Sequence, residues 1–600
     1  MPRDTVLSPV ATRVELNDPL NEEFIPGTLN IYSQEIDHEV NKDKYGGDTG
    51  DLPRVKTKGN IILFPQPSDS PNDPLNWPSW KKIYNFAILV FITALTAATS
   101  NDASSIQDTL NEKYGITYDS MNVGAGVLFL GIGWGTFFLT PLSSLYGRKI
   151  TYFICIFLGL LGAVWFALCK RTSDTIWSQL FVGISESCAE AQVQLSLSEL
   201  YFMHNLGTVL TFYILATSIG TYLGPLIASF IVEGINFRYV GWMSVFISAG
   251  TLIVIAFVMD ETYFDRLKFT VQTQVLDGVS SRKLSTEQEQ EDSNMKKLFS
   301  TLTKELKTSD EEDHAPATPQ PQLSQEKPVF IETADEGADD PPKSYWQSVQ
   351  MITPTSNLKG TGFKQYCKRL KSLLKVFLFP PVIFSGLVWG MQDALLTFYI
   401  TVEDDTYYDP PYNYGDTKVG LMNVPCLIGA VIGCICAGNV SDYFSIFLAK
   451  RNSGIQEAEF RLWFLIPPAF IAPVGLILFA VGTDHYWHWV PTYIGLGMVG
   501  FGFGCAGDVS MSYLMDAYPD MVIEMMTGVA VINNCIGCIF TFACSPWLDA
   551  MGNIKTFIIL AVLEFVVMLG AVPFIIYGKR VRIWTKQWYL DFIAMRDGKQ

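Results

Sequence analysis

Six carboxylates lie inside stretches of otherwise apolar sequence: Asp102, Glu186, Glu190, Asp393, Asp508 and Glu564. An unpaired charge at the centre of a bilayer costs about 3 kcal/mol on insertion scales, so each needs a physical reason. No Lys or Arg lies at comparable depth in the same stretches. With no internal cation to pair with, these acids must carry protons or face water and a positively charged ligand. The imbalance points to a cationic substrate, a coupling proton, or both.

Glu186 and Glu190 are four residues apart and share one face of a helix, which Gln194 extends by a turn. Two such acids cannot both stay ionised cheaply, which suits one of them to exchange a proton. The plainer alternative is a hydrogen-bonded pair inside the bundle. Asp102 sits among Ser100, Asn101, Ser104 and Ser105, which reads as a polar cavity lining rather than an interfacial acid. Asp393 has Trp389 one turn before it and Phe398 and Tyr399 after it. An acid among aromatics suits an ammonium group by charge pairing and cation–π contact, although aromatics also serve as interface anchors. Asp508 is read as a further lining acid and Glu564 as structural.

The elements that carry these residues are long apolar runs. Runs of 18 or more apolar residues read as membrane helices. Six occur near 83–105, 120–141, 150–169, 175–201, 207–232 and 239–259, and six more near 377–401, 418–440, 462–482, 489–512, 523–547 and 555–577. The expected organisation is an acidic N-terminal tail (1–80), a six-helix bundle (81–259), a mostly disordered central loop (260–375), a second bundle (376–578) and a C-terminal tail (579–600). A short amphipathic piece is expected near 363–376. The layout is that of a secondary transporter built from two halves.

Of 600 residues, 49% are hydrophobic and 17% charged, which excludes a soluble enzyme, a disordered scaffold and a nucleic-acid binder. Two polar stretches, 1–80 and 260–345, supply −6 and −9 of the formal charge of −17, leaving the rest near neutral. Lys81, Lys82, Arg148, Lys149, Lys450, Arg451, Arg461, Lys579, Arg580 and Arg582 fall at one end of the spans, and the acids Glu403 to Asp416 at the other. The positive-inside rule then places both termini and the central loop in the cytoplasm, where the sequon at Asn439 would stay unused. Ten of the eleven cysteines lie in apolar runs and read as small packing residues; Cys535-x-x-Cys538 has no second ligand pair nearby. Gly502-Phe503-Gly504-Cys505-Ala506-Gly507 matches a dinucleotide fingerprint, but no strand precedes it. Small residues there let helices approach closely. No phosphate-binding G-x-x-x-x-G-K-[ST] loop occurs, which argues against an ATP-driven pump.

Several motifs carry a resemblance. Asn72-Asp73-Pro74-Leu75-Asn76-Trp77-Pro78-Ser79-Trp80-Lys81-Lys82 resembles the segment before the first helix of major facilitator transporters, in their fungal drug:proton antiporter branch. Thr140 to Lys149 occupies the place of that superfamily's G-x-L-a-D-R-x-G-R-[RK]. Gly147, Arg148 and Lys149 match, while Ser144 and Leu145 replace the usual Asp and Arg. The second-half counterpart keeps Gly438 and Asp442 but lacks the basic end. Gly220 and Gly224-Pro225 are similar to the antiporter signature, Asp260-Glu261-Thr262-Tyr263 to P-E-T-Y, and Ser512 to Pro519 to the end of the tenth helix. The acidic fourth run and long acidic loop resemble most the yeast permeases for polyamines and histidinol. The family's arginine in the fourth helix appears here as Gln179.

The resemblance implies an all-α major facilitator fold, twelve transmembrane helices in two six-helix bundles around a central cavity, acting as a monomer in the plasma membrane. The leading expectation is proton-coupled uptake of organic cations, most favourably polyamines. Asp102, Glu186, Glu190, Asp393, Asp508, Trp389 and Tyr399 would bind substrate, and Glu186 and Glu190 would carry the proton. Arg148 with Glu199, and Gly224 with Pro225, would gate. The expected partners are a small cation, protons and membrane lipid, with no nucleic acid, metal or cofactor. The alternatives are a drug:proton antiporter exporting cationic compounds, which Gly224-Pro225 favours, and a non-transporting nutrient sensor, which would be expected to carry a longer tail.

Overall fold

Some helix ends are marked in the sequence by a capping hydroxyl or a glycine. Helix α1 is Ser79–Asn101, followed by a short helix, Gln107–Tyr114, that stops at Gly115. Helix α2, Tyr118–Tyr146, is capped by Thr117, whose hydroxyl accepts from the Ser120 N–H, and it ends at Gly147. Helices α3 (Lys149–Ala167), α5 (Met203–Gly234) and α6 (Arg238–Phe257) follow the same up-and-down path. Helix α4 runs as Thr172–Cys188, a π-helical turn Ala189–Val193, then Gln194–Leu200.

The second half holds α7 (Pro380–Tyr407), which starts on a proline, and α8 (Asp416–Arg451), which contains a second π turn at Cys436–Val440. Helices α9 (Ala458–Asp484), α10 (Trp489–Ala517), α11 (Val522–Met551) and α12 (Asn553–Arg596) complete it. This is the expected all-α fold of two six-helix bundles. The computed structural model describes residues 25–30, 57–58, 61–62, 67–68, 70–264, 341–355, 358, 360–452 and 454–596. The expected loop's residues 265–340 and most of 1–80 lie outside them.

Among the described residues, eleven of these twelve helices are long and apolar enough to cross a membrane. The exception is α4, whose Glu, Gln and Ser residues lower its apolarity. It survives because those side chains are turned inward, where α2 and α3 pack on the helix, while Phe246, Ile253, Val566 and Ile576 on other helices point outward for lipid. Small residues set the close helix contacts. A Cβ on Gly500 would lie 2.0 Å from the Cys426 carbonyl oxygen, and one on Gly504 2.4 Å from that of Ala430. The glycine run thus welds α10 to α8.

Two elements differ from the sequence reading. The last helix continues to Arg596, where a free tail was expected from 579. Arg582, Thr585, Tyr589 and Phe592 form a buried stripe at helical spacing, and the Arg582 guanidinium makes paired hydrogen bonds to Glu459 at 2.8 and 2.6 Å. The chain before the first helix is also partly ordered: Thr28–Asn30 pairs antiparallel with Ile455–Glu457, and Arg582 donates to Thr28 and to the Pro26 carbonyl. The amphipathic piece is the helix Phe363–Leu373, whose Tyr366 and Arg369 donate to the Phe138 and Ser144 carbonyls of α2.

Candidate functional site

Of the six carboxylates within apolar runs, three are buried and three, Glu186 and Glu190 of α4 and Asp393 of α7, are half-buried. They come from opposite halves and lie close enough for each charge to bear on another: Asp393 and Glu186 on Glu190, and Glu186 on Asp393. Glu190 sits within the π turn, and its Oε2 has no hydrogen-bond partner. A π turn rotates the helix face by a fraction of a turn and is common where a helix carries a site. Gln194 satisfies the Glu190 carbonyl from its Nε2 at 3.0 Å and also reaches Met511 of α10.

The neighbours of these acids are neutral. Ser100 of α1 lies beside Glu186, and Asn533 of α11 beside Asp393. Gln192 is fully buried, with neither its oxygen nor its nitrogen paired. Tyr213 of α5 stands next to Glu190 and Glu186. Trp389 is buried, with its indole nitrogen unpaired, and packs tilted, at 4.8 Å, against Phe503, which meets Tyr222 at 5.7 Å. The result is a group of three acids from both halves, with Ser100, Asn533 and the α5 aromatics Tyr213 and Tyr222 beside it. Unpaired buried polar atoms are expensive unless water or a ligand satisfies them. The arrangement can hold a positive charge or share protons among carboxylates.

The structure sets the other expected residues apart from this group. Asp102 caps α1 with its carboxylate turned toward α6, where it accepts from Ser244 at 3.2 Å, and toward Gly224 of α5. A Cβ on Gly224 would lie 3.0 Å from Asp102 Oδ1, and Ser105 takes the Pro225 carbonyl at 2.8 Å. Gly224 and Pro225 therefore seat α1 on α5. Asp508 is buried toward the Lys/Arg-rich end, accepting from Thr211 at 2.9 Å and from Ser512 at 3.1 Å. Tyr399 faces the interior of the second half, with its hydroxyl 3.3 Å from Asn423. Glu564 accepts from Gln392 at 2.7 Å, tying α12 to α7 beside Asp393.

At the Lys/Arg-rich end, Arg148 Nη2 meets Glu199 at 2.8 Å and the guanidinium lies over Tyr263 at 4.9 Å. Glu261 accepts the Arg148 and Lys149 backbone N–H groups at 3.0 and 3.1 Å, capping α3. Gly147 makes this possible: at φ +99° its Cβ would fall 2.6 Å from the Glu261 carboxylate. Burial pushes the Glu261 carboxyl up, against the pull of those N–H groups and Arg148. In the second half Arg461 pairs with Asp442 at 2.6 Å and with Asp516 at 2.5 Å.

Sequence reasoning missed Asn533, Tyr213, Glu261 and the Arg461 network. Asn533-Asn534 within an apolar run and Arg461 near a span were visible signals. The partners of Tyr213 and Glu261 were not, because they come from other helices.

Two seams join the halves. Helix α2 meets α11 through Thr140 with Thr527 at 2.7 Å at one end and Asn122 with Ser545 at 2.9 Å at the other. Helix α5 meets α8 through Gly207 against Asp442, Thr211 against Gly438, and Glu233 accepting the Thr417 N–H at 3.1 Å. A Cβ on Gly438 would fall 1.7 Å from the Thr211 hydroxyl. Both seams are closed along their length around the acid group.

Two six-helix halves, closed seams and a polar interior with charges from both sides define a membrane transport protein. A profile of the Major Facilitator Superfamily matches residues 86–542, and the chain belongs to that superfamily. It is similar to Protein HOL1 of Saccharomyces cerevisiae, at 54% identity over 584 residues covering 96% of this chain and 98% of that one. The Schizosaccharomyces pombe MFS-type transporter C1271.10c is 45% identical over 575 residues, covering 96% and 95%. Among solved structures, the proton:xylose symporter XylE shares the fold at a TM-score of 0.53 and 12% identity, covering 83% of this chain and 97% of XylE.

Proposed function

We propose that this chain imports organic cations, most favourably polyamines such as putrescine, spermidine and spermine, across the plasma membrane in exchange for the energy of a proton gradient. The observation that carries the reading is the Glu186, Glu190 and Asp393 group: three half-buried acids from both halves, with Glu186 and Asp393 bearing on Glu190 and Glu186 bearing on Asp393. A protonated amine supplies the missing positive charge, and methylene spacers suit the aromatic walls at Tyr213 and Trp389. Glu186 and Glu190 carry the coupling proton, and Asp393 binds the ammonium. Arg148 with Glu199 is the latch at the Lys/Arg-rich end, which the positive-inside rule makes cytoplasmic, with both termini.

Export of cationic compounds against protons is the second reading, favoured by the Gly224-Pro225 seat of α5 on α1 next to Asp102. Radiolabelled spermidine, offered to cells that lack their own carriers with and without a proton gradient, separates the two. Gradient-driven accumulation supports import. Gradient-driven depletion supports export. No movement in either direction rejects both.

A further inference from the structure

The far end of the bundle, opposite the Lys/Arg-rich end, carries a second set of acids with its own geometry. Asp404 near the end of α7 is 8% exposed, and its Oδ2 has no hydrogen-bond partner. The charges that bear on it are those of Asp405, Asp108 and Asp416. Asp108 comes from the first half, on Gln107–Tyr114, and Asp416 opens α8. Tyr118 donates to Asp108 at 3.0 Å and Tyr408 to Asp416 at 3.1 Å, so both rings stand beside the carboxylates.

A cavity lies between this end and the acid group. Gln107 and Thr401 line it next to Asp108 and Asp404, and Ser100 and Thr397 line it next to Glu186 and Asp393. Gln179 also lines it, 5% exposed and with its Oε1 unpaired. The lining is mixed: these polar groups share it with Leu128, Phe129, Leu396 and Ile400, which suits a chain of amines separated by methylene spacers.

We propose that Asp404, Asp108 and Asp416, walled by Tyr118 and Tyr408, form a receiving site for an organic polycation, from which the cavity passes it to the Glu186–Glu190–Asp393 group. Among the described residues, no cluster of such ligands is tight enough to hold a metal ion. Carboxylates spread around two tyrosine rings suit an amine chain instead. At ~1.5 Å per residue, Asp404 and Asp393 are roughly 16 Å apart along α7. A short amine therefore occupies the two stations in turn. The proposal rests on the organic-cation reading above and adds a site to it.

The test uses the full-length protein in proteoliposomes or cells, with labelled spermidine. Asp404→Asn and Asp108→Asn should raise KM about tenfold, the loss of one charge-assisted contact, with Vmax retained. The rise should be smaller for a monoamine. Glu190→Gln should instead lose Vmax. Asp108→Asn and Asp416→Asn, at half-buried positions, carry the test if Asp404→Asn does not reach the membrane. An unchanged KM in the outer variants, with Glu190→Gln still inactive, overturns the receiving site and leaves the transport reading intact. No spermidine transport by the unaltered protein overturns both.

Discussion

At the residue scale, the decisive distinction is between acids that are half-buried near other acids and acids that are packed against hydroxyl donors. Asp102 and Asp508 are buried with hydroxyl partners, whereas Glu186, Glu190 and Asp393 are half-buried and face one another. Asp102→Asn keeps an oxygen for Ser244 and should retain most uptake. Asp393→Asn should weaken spermidine affinity at any pH, because the ammonium loses its counter-charge. Glu186→Gln should lose accumulation against a gradient while keeping downhill exchange, which preloaded-vesicle exchange measures directly. The reverse pattern would exchange the two roles. The acids themselves were legible in the sequence as charges in apolar runs. Their grouping was not: Asp102 is turned aside by its place at the end of α1, and the π turn resets the face on which Glu190 lies. An i,i+4 count along a regular helix contains neither fact.

At the element scale, the seams decide whether the halves can close. Gly438→Ala should slow transport strongly, since its Cβ would fall on the Thr211 hydroxyl. Thr211→Gly in the same chain should recover part of the rate, as a double-mutant cycle of uptake would show. Thr211→Gly also removes the Asp508 contact, so full recovery is not expected. Arg461→Ala leaves the buried Asp516 and the half-buried Asp442 without their cation. It should cost roughly 3–5 kcal/mol of stability, read as an earlier thermal transition in detergent. The spans were legible from apolar runs because lipid exposure demands them. The continuation of α12 to Arg596 was not, because its buried stripe includes an arginine whose partners, Glu459, Thr28 and Pro26, all lie far away in the chain. Helix α4 was recovered despite its polarity because the six-plus-six layout requires it.

At the scale of the whole molecule, the proposed route for a cation runs past two acidic stations toward a proposed floor at the Lys/Arg-rich end. Arg148 and Glu199 form that floor in the first half, and Arg461 with Asp442 and Asp516 in the second. Opening requires at least one of these buried pairs to part, and proton transfer at the central acids is the event proposed to drive it. The central claim is that the acid group of α4 and α7 couples proton movement to cation uptake. It is tested most directly by spermidine accumulation under an imposed proton gradient, for the unaltered protein and for Glu190→Gln at equal surface expression. The expected result is accumulation that collapses with a protonophore in the unaltered protein and is absent in Glu190→Gln. Equal, gradient-driven accumulation in both would contradict the claim.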